Sequence, residues 1–587
     1  MKVIVLVKQV PHPPAIEFDE ETHSLRREGV PLVLNAFDRE AVARAAAIGD
    51  EVVAMTMGPP QASEALRECF ALGAHRALHL SDRMFALADT IGTSRTLALA
   101  IRKEGADLVL CGRKTIDSET WQVPPEVAAQ LGWQHLTNAT ALEPAGSKLR
   151  VTRQTDAGED LYEVELPAVV SIARPRLDPA QPVDGDITVW AASDLASDVR
   201  DNDNRFGQTG SPTRVLAVRD VSPERARRRA RSVDEAVTAT RELLADRARE
   251  PSTWDKPEDV AEQPGKRYDS WVWVELANGR PTRHSLELVA RSRTLAGKLG
   301  GQNVAAVLGH GLAGLAGELH RRGAERVVVV DDERLDAYRP AIWVHALRQL
   351  VERHRPHVLL FPATARGRDL GPRLAGELEL GMTGDCVGVD IVKAGRLLQQ
   401  KPAYGGNIVS VIMGSTSPQL ATVRPRMYKP LDERDADGEV AVLELDGVPS
   451  ESVELREQLE RPGTSGFALD AADAVVCVGT DAGGADALAE IEAAAAPFGA
   501  AVGGTHDACA RGWLPHTREI GLFGRPVAPR LLLAVGVGGD FWDVTGWVKA
   551  DVVVAVNPGL TAGMHETSDV VLAGHWREAL PALLETV

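Results

Sequence analysis

The chain has 587 residues, of which 44% are hydrophobic and 25% are charged, and its formal net charge is −18 at pH 7. This length predicts about three or four domains, and the composition is that of an ordinary soluble globular protein. The negative charge argues against a nucleic-acid binder, because phosphate contacts need a basic surface.

Cysteine usage and hydropathy indicate where the protein acts. The five cysteines are dispersed without CxxC spacing: Cys69, Cys111, Cys386, Cys477 and Cys509. This pattern predicts reduced thiols in a cytosolic protein, without a disulfide frame or a metal site. The first apolar run ends before Lys8 and is too short for a signal peptide. No later run reaches the ~18 residues of a membrane span, so we expect a cytoplasmic protein without direct membrane insertion.

The first 195 residues alternate short β-branched strands with alanine-rich helical segments. Strands are predicted at Val3–Val7, Glu51–Met57 and Asp107–Cys111, and a helix at Ala62–Leu72. This alternation is typical of a parallel sheet with crossover helices. Leu161–Ile172 is predicted to be a strand pair at an antiparallel edge or arm.

Residues 196–267 differ in composition and are predicted to form an arm, a helix and a linker. Ser222 followed by Pro223 resembles a helix start and predicts a helix over Pro223–Arg249. We interpret the arginine cluster Arg225–Arg231 as a solvated face of that helix in preference to a nucleic-acid patch. The low apolar density of Glu250–Arg267 predicts the linker.

The remaining sequence predicts two further α/β domains, over residues 268–447 and 448–587. In the second domain the predicted elements are Trp271–Leu276, Val304–Leu308, Arg326–Val330 and His357–Phe361 as strands and Ser285–Leu299 as a helix. In the third, the predicted strands are Ala474–Val478, Leu531–Val535 and Val552–Val556.

One loop of the first domain has the position of a nucleotide site. Gly112–Val123 follows a predicted strand and precedes a helix that begins at Pro124. Nucleotides bind at the carboxyl ends of parallel strands, and hydroxyls such as Ser118 and Thr120 can hold a phosphate beside free helix amides. An ordinary strand-to-helix turn has the same spacing, so the residues alone leave both interpretations open.

Two motifs carry a family resemblance. Gly112–Val123 and Pro418–Pro425 resemble the small and large subunits of electron-transfer flavoproteins, in that order. Arg368–Arg373, Gly381–Cys386 and Lys401–Asn407 also resemble the large subunit. The resemblance covers nearly the whole chain. It implies a small-subunit-like domain over 1–195, a large-subunit-like domain over 268–447, both of the adenine-nucleotide-hydrolase type, and a doubly wound FAD-type domain over 448–587.

The resemblance implies a nucleotide site in the first domain, for AMP or for a second FAD as in bifurcating members. The implied positions are Leu6, Lys8, Asn35, Met57, Asp117, Ser118, Thr120, Trp121, Gln122 and Val123. Trp121 departs from the family, which has a small residue there, so the nucleotide is shifted, stacked on the indole or excluded.

The resemblance also implies an FAD site in the third domain. The implied positions are Gly479, Thr480, Thr505, His506, Gly521, Phe523, Gly524, Gly538, Gly539, Asp543, Asn557 and Asp569. The glycines still allow backbone N–H groups to approach a pyrophosphate.

Most side chains at the FAD positions depart from the family. Arginines are replaced by Thr480 and by a neutral His506, and each lost charge-assisted bond is worth about 1.5–3 kcal/mol. Asp481 and Asp543 add negative charge. We therefore expect weaker flavin binding and a lower potential for an anionic semiquinone. Phe523 and the neighbouring Phe541 and Trp542 either stack on the flavin or fill its place.

The sequence thus predicts an electron carrier between a flavoprotein dehydrogenase, or another redox protein, and a downstream acceptor. The segment Ser171–Leu177 and the lysine-free Asp178–Asp186 differ from the family's docking region, so we expect a different partner surface, for example in a multi-component oxidoreductase complex. One alternative is a flavin-free nucleotide-binding scaffold. Another is an NADH-linked carrier with its flavin in the first domain. No catalytic residue of a stand-alone enzyme is predicted.

Overall fold

The computed structural model describes residues 1–12, 17–19, 24–26, 29–195, 206–221, 223–247, 252–256, 267–392, 394–406, 408–447, 449, 452–460, 467–559 and 561–587. We call residues 1–195 the first lobe, 206–247 the arm, 268–447 the second lobe and 467–587 the third lobe. Ser222, Asn407 and most of Glu250–Arg267, on which sequence predictions fall, lie outside the described residues.

The first lobe is a parallel sheet that continues into an antiparallel extension. Its strands are β1 (Lys2–Leu6), β2 (Gln9–Pro11), β3 (Glu17–Asp19), β4 (Ser24–Arg26), β5 (Leu32–Leu34), β6 (Glu51–Met57), β7 (Arg76–Leu80), β8 (Leu108–Gly112), β9 (Gln134–Ala145), β10 (Lys148–Gln154), β11 (Gly158–Glu165), β12 (Ala168–Ile172) and β13 (Ile187–Trp190). Its helices are α1 (Ala36–Ile48), α2 (Ser63–Ala71), α3 (Thr90–Glu104), α4 (Val123–Leu131) and α5 (Ala192–Leu195). The strand order β13-β7-β6-β1-β8-β12-β9-β10-β11 reverses direction between β1 and β8.

The arm contains β14 (Thr213–Asp220), β15 (Arg228–Ala230) and α6 (Val233–Asp246). The predicted helix start at Pro223 is therefore wrong: Ser232 caps α6 by accepting a hydrogen bond from the N–H of Glu235. The residues before it are extended because β15 pairs with a strand of the third lobe. The arginine cluster is exposed at Arg227, Arg228, Arg229 and Arg231, as predicted, but it does not lie on a helix. The side chain of Arg225 is 5% exposed and ion-paired with Asp569.

The second lobe repeats the parallel pattern. Its strands are β16 (Tyr268–Val274), β17 (Leu276–Ala277), β18 (Arg280–Pro281), β19 (Gly300–Gly309), β20 (Arg326–Asp331), β21 (Val358–Pro362), β22 (Met382–Cys386), β23 (Gly388–Val392), β24 (Arg396–Ala403), β25 (Ile408–Gly414), β26 (Gln419–Val423) and β27 (Glu439–Val442). Its helices are α7 (Arg283–Leu299), α8 (Leu315–Arg321), α9 (Pro340–His354) and α10 (Gly367–Leu378). The main sheet has the order β22-β26-β21-β16-β19-β20-β27.

The third lobe is the predicted doubly wound domain. After β28 (Val453–Glu460), its elements are α11 (Phe467–Ala471), β29 (Ala474–Val478), α12 (Ala485–Ala495), β30 (Ala501–Gly504), α13 (His506–Ala510), β31 (Leu531–Val535), α14 (Phe541–Val544), β32 (Val552–Asn557), α15 (Ala562–Thr567), β33 (Val570–Ala573) and α16 (Trp576–Leu584). The order β30-β29-β31-β32-β33 reverses between β29 and β31, which is where ligands bind in such sheets.

Strands are exchanged between the lobes. β14 of the arm pairs antiparallel with β25 of the second lobe, and β15 extends the sheet of the third lobe beside β33. In return β28, which follows the second lobe, pairs antiparallel with β11 of the first. The central parallel strands are almost fully buried, as their apolar runs predict, whereas the edge strands β13, β15 and β27 are largely exposed.

Two further predictions concern thiols and membranes. The five cysteines are buried and none forms a disulfide. Among the helices of the described residues, none is both long enough and apolar enough to cross a membrane.

Candidate functional site

The loop between β8 and α4, residues 112–123, lies where the strand order of the first lobe reverses. Asp38 fixes its start by accepting hydrogen bonds from the N–H of Gly112 at 3.0 Å and of Lys8 at 2.9 Å. A Cβ on Gly112 would lie 2.5 Å from that of Phe37, so only glycine fits there. We call this segment the first-lobe loop.

The structure brings most of the predicted first-lobe residues together at this loop. Lys8 Nζ contacts Asp117 at 2.7 Å. The Asn35 amide donates to the Lys114 carbonyl at 3.0 Å and accepts from the N–H of Ile116 at 3.2 Å. These polar groups therefore hold the loop itself.

The remaining predicted first-lobe positions surround the loop. Ser118 Oγ lies 3.0 Å from Thr115 Oγ1, and Val123 is the first residue of α4. Leu6 and Met57 end the neighbouring strands β1 and β6.

The second half of the first-lobe loop is hydrogen-bonded to the second lobe. Lys401 Nζ donates to the Glu119 carbonyl at 3.0 Å, and Gln122 Nε2 donates to the Met382 carbonyl at 3.1 Å. Thr120 lies against Gly384, whose missing side chain makes room for its carbonyl. Glu119 and Trp121 have φ values of 45° and 63°. Residues other than glycine are strained in this region, and such strain is concentrated at ligand-binding and active sites.

In the third lobe, the predicted glycine loops meet at the carboxyl ends of four strands, which we call the third-lobe edge. Gly479–Thr480 follows β29, Thr505–His506 follows β30, and Gly538–Gly539 follows β31. Asn557, at the end of β32, holds the loop after β31 in place, because its side-chain amide donates a hydrogen bond to the Val537 carbonyl at 2.7 Å.

Asp569 lies elsewhere. It precedes β33 and so lies at the amino end of that strand, away from the third-lobe edge. It is fully buried and accepts hydrogen bonds from Arg225 at 3.0 Å and Arg247 at 2.9 Å. Its contacts attach the arm to the third lobe.

His506 is held by a buried carboxylate that sequence reasoning missed. Its Nδ1 lies 2.9 Å from one oxygen of Glu519, and His516 contacts the other oxygen. Burial alone would lower the pKa of His506, but the hydrogen bond to Glu519 and its charge raise it. The same contacts lower the pKa of Glu519 to about 2 against the effect of burial. Glu519 therefore favours the protonated form of His506, against the expectation of a neutral side chain.

Asp543 is less negative than expected. Burial, with the nearby charges of Asp540 and Asp507, raises its pKa to about 7. The carboxyl group therefore holds its proton for part of the time at neutral pH, and it opposes an anion at the third-lobe edge less than a fully ionised group.

Phe37, Phe523, Phe541 and Trp542 form an aromatic cluster between the first and third lobes. The rings of Phe523 and Trp542 stack at 5.1 Å, and Phe37 meets Phe523 edge-on at 6.1 Å. Phe523 is 3% exposed and lies between Gly521 and Gly524, whereas Trp542 is half-buried.

The start of α12 has the backbone geometry that a phosphate of a dinucleotide would need. A Cβ at Gly484 would meet no atom within 4 Å, and the helix α12 begins after it without a side-chain cap. Its first N–H groups are thus free of a side-chain cap, as a phosphate site requires. Beside the aromatic cluster lies the imidazole of His506, whose pKa is raised and whose ring is 5.4 Å from that of Phe523.

Two families match this chain. The electron transfer flavoprotein domain matches residues 22–195 and 270–448, and the electron transfer flavoprotein FAD-binding domain matches residues 468–547. The chain is 32% identical over 321 residues to the electron transfer flavoprotein subunit alpha of Thermoanaerobacterium thermosaccharolyticum, covering 54% of this chain and 97% of that protein.

Relatives of the other subunit match as well. The subunit beta of the same organism is 38% identical over 235 residues, covering 38% of this chain and 90% of that protein. The caffeyl-CoA reductase-Etf complex subunit CarD of Acetobacterium woodii is 39% identical over 237 residues, covering 38% of this chain and 88% of that protein.

Proposed function

Since the chain belongs to the electron transfer flavoprotein family and holds both of its subunits in one polypeptide, we propose that it is a single-chain electron carrier with FAD at the third-lobe edge. It takes electrons from a flavoprotein dehydrogenase, or another redox protein, and passes them to a downstream acceptor. The observation that carries the proposal is the meeting of the glycine loops at the strand reversal of the lobe that matches the FAD-binding domain.

The flavin, when bound, supplies the one-electron and two-electron chemistry. The residues of the chain place it and set its electrostatics. The uncapped start of α12 offers N–H groups to a phosphate. Glu519 raises the pKa of His506, and the protonated imidazole would supply part of the positive charge that the family resemblance assigns to an arginine. The aromatic cluster keeps water from the interface of the first and third lobes.

A flavin-free scaffold is the second candidate, and the aromatic cluster favours it. Phe523 is almost fully buried and stacks on Trp542 at a position that faces the flavin in the family resemblance. A cluster that only fills this space would leave a protein that binds nucleotides such as AMP through the first-lobe loop.

The visible spectrum of the freshly purified protein decides between these candidates. The carrier predicts flavin absorption bands and about one FAD per chain among the molecules released by heat, identified by mass. A protein that stays colourless after incubation with FAD overturns the carrier and supports the scaffold. AMP in the released material would support a nucleotide in the first lobe.

Three variants locate the flavin within the chain. We expect His506→Ala to release it, whereas Thr120→Ala and Trp121→Ala retain it. The reverse result would place the flavin in the first lobe, as in the NADH-linked alternative. His516→Ala is the matched control, because it also removes an imidazole from Glu519 but lies outside the predicted FAD positions.

The partner is proposed by class. CarD is, by its name, a subunit of a caffeyl-CoA reductase-Etf complex. We propose that this chain likewise acts in a multi-component oxidoreductase complex, in the cytoplasm. Reduction of the purified flavoprotein by a dehydrogenase encoded beside it would support this role, and its absence with every neighbouring dehydrogenase would count against it.

A further inference from the structure

A cleft at the junction of the three lobes has no role in the proposed electron carrier. It is open to solvent and has about 430 Å³ of empty space, part of which is solvent. Its walls come from the first-lobe loop, from β9, from β10 and the turn after it, from the start of α10 and from residues 516–525. Of the residues predicted for the two nucleotide sites, all of which the structure describes, only Trp121 and Gly524 line this junction cleft. We infer that it binds an oxyanion of the phosphate type.

Three arginines line the junction cleft, and two of them are neutralised. Arg368 makes two hydrogen bonds of 2.8 Å to Asp385. Arg525 contacts Asp156 at 2.8 Å and Asp470 at 2.7 Å. Arg525 thus shares two carboxylates, one of which, Asp156, also lines the cleft, so neither of these arginines offers an unpaired charge to a ligand.

Arg113 is the third arginine, and no acidic side chain of the described residues forms an ion pair with it. It is 7% exposed, donates to the carbonyl of Phe523, and lies over the rings of Phe37 at 5.0 Å and Trp121 at 4.8 Å. The charge of Glu519 opposes the lowering of the Arg113 pKa, but this carboxylate contacts two histidines and forms no ion pair with Arg113.

A buried guanidinium without a counter-charge is costly, and a bound anion removes that cost. Burial, with the charges of Arg174 and Arg368 nearby, lowers the pKa of Arg113 to about 9.

Unpartnered polar atoms surround the same cleft. Five buried side-chain atoms without a hydrogen-bond partner belong to residues that line it: Arg113 Nε, Trp121 Nε1, Asn138 Oδ1, Gln154 Oε1 and Thr517 Oγ1. Buried polar groups are normally paired, so five around one cleft indicate a ligand. Single unpartnered indoles occur elsewhere, as at Trp271, and by themselves indicate nothing.

The donors define the ligand chemistry. A guanidinium N–H, an indole N–H and a hydroxyl suit the several acceptor oxygens of phosphate, and the two amides can turn their NH₂ groups toward it. The phosphate is either free or the end group of a nucleotide, and both present the same oxygens to these donors.

The test is isothermal titration of the full chain with inorganic phosphate, AMP and adenosine. We expect saturable phosphate binding that weakens about tenfold or more in Thr517→Val and in Trp121→Phe, since each loses a hydrogen bond to a charged group. Trp271→Phe is the matched control, because it removes a buried, unpartnered indole N–H away from the cleft, and it should bind phosphate normally.

Thr517→Val also identifies the source of the phosphate, because Thr517 lies outside the predicted AMP positions. If AMP binds more tightly than phosphate and Thr517→Val weakens AMP binding, the ligand of the cleft is a nucleotide. If AMP binds less tightly than phosphate, the ligand is the free anion. No saturable phosphate binding, or binding unchanged in both variants, overturns the inference. The absorption spectrum of Thr517→Val separates this outcome from a failure of the carrier proposal. We expect the flavin content of this variant to be unchanged, whatever its affinity for phosphate.

Discussion

At the scale of single residues, buried charges join the lobes. Asp369 of the second lobe is fully buried and accepts hydrogen bonds from Arg153 at 3.0 Å and from His135 at 2.6 Å, both of the first lobe. Tyr338 donates to the same carboxylate at 2.6 Å. Burial opposes ionisation, but His135 and Arg153 outweigh it and lower the pKa of Asp369 to about 2.

Asp369→Asn tests this network. The variant leaves the fully buried Arg153 without its carboxylate, so we expect a loss of about 3–5 kcal/mol in the free energy of unfolding. Urea unfolding followed by tryptophan fluorescence measures it. Asp332→Asn is the control, since Asp332 pairs with Arg334 near the surface and should cost at most about 1 kcal/mol. Similar losses in both variants would contradict a special role for Asp369.

His506 and Glu519 make stability depend on pH. The pKa of His506 is raised on folding, so its contribution is full below the unfolded value near 6.5 and is lost as the pH rises through the folded pKa. The pKa of Glu519 is lowered to about 2, so its contribution is present above the unfolded value near 4.5 and is lost as the pH falls toward about 2.

We therefore expect His506→Asn to flatten the pH dependence above neutrality. Between about pH 6 and about pH 9 the thermal midpoint of the unmodified chain should fall more than that of the variant. Scanning calorimetry at both pH values measures the difference. His575→Asn, which changes an exposed histidine before α16, should behave like the unmodified chain. Equal slopes for the unmodified chain and His506→Asn would contradict the pairing.

At the scale of helices and strands, the elements that the sequence predicts correctly are those that depend on a local pattern of apolar residues. Glu51–Met57 is a strand with the predicted bounds, because a strand buried on both faces reads as a continuous apolar run. The helix start at Pro223 fails, since the pairing of Arg228–Ala230 with β33 overrides a local helix signal.

The candidate site also has a part that the sequence predicts and a part that depends on contacts between distant residues. Its glycine loops follow predictable strands, so their place at the third-lobe edge could be inferred from the sequence. The pairing of Glu519 with His506 and His516 could not, because a carboxylate thirteen residues from its first partner has no periodic signal. The contact of Arg113 with Phe523, 410 residues apart, depends on how the lobes meet.

Asp89 is predicted to hold the arm strand β14. It caps α3 by accepting from the N–H of Gly92 at 2.9 Å, and its other oxygen accepts from the N–H and the hydroxyl of Thr213 at 2.8 and 2.7 Å. Asp89→Ala should therefore cost about 1 kcal/mol as a lost cap and speed hydrogen exchange in β14. Exchange followed by mass spectrometry over residues 213–220 measures this.

Ser232→Ala is the matched control for the arm. It removes the cap of α6, which lies in the same arm but packs on the third lobe. We expect Ser232→Ala to speed hydrogen exchange in α6 and to leave hydrogen exchange in β14 unchanged. If both variants change β14 equally, Asp89 does not anchor the strand.

At the scale of the whole molecule, the exchanged strands make the lobes mutually dependent. The first half of the chain supplies β14 to the second lobe and β15 with α6 to the third, and the second half returns β28 to the first lobe. Each half alone would expose unpaired strand edges, which are sites of aggregation. The two subunits of the family are thus tied by main-chain hydrogen bonds as well as by the covalent link.

A chain broken after Val260, outside the described residues, tests this dependence. We expect the two halves to form a one-to-one complex when they are produced together and to aggregate when produced separately, because pairing then covers the exposed edges. Size-exclusion chromatography with light scattering measures the assembly. Leu455→Lys should weaken it, since Leu455 of β28 packs on the core of the first lobe, whereas Gln458→Lys adds the same charge at an exposed position of that strand and should not. Two soluble halves that do not associate would show that each lobe is stable without its borrowed strand.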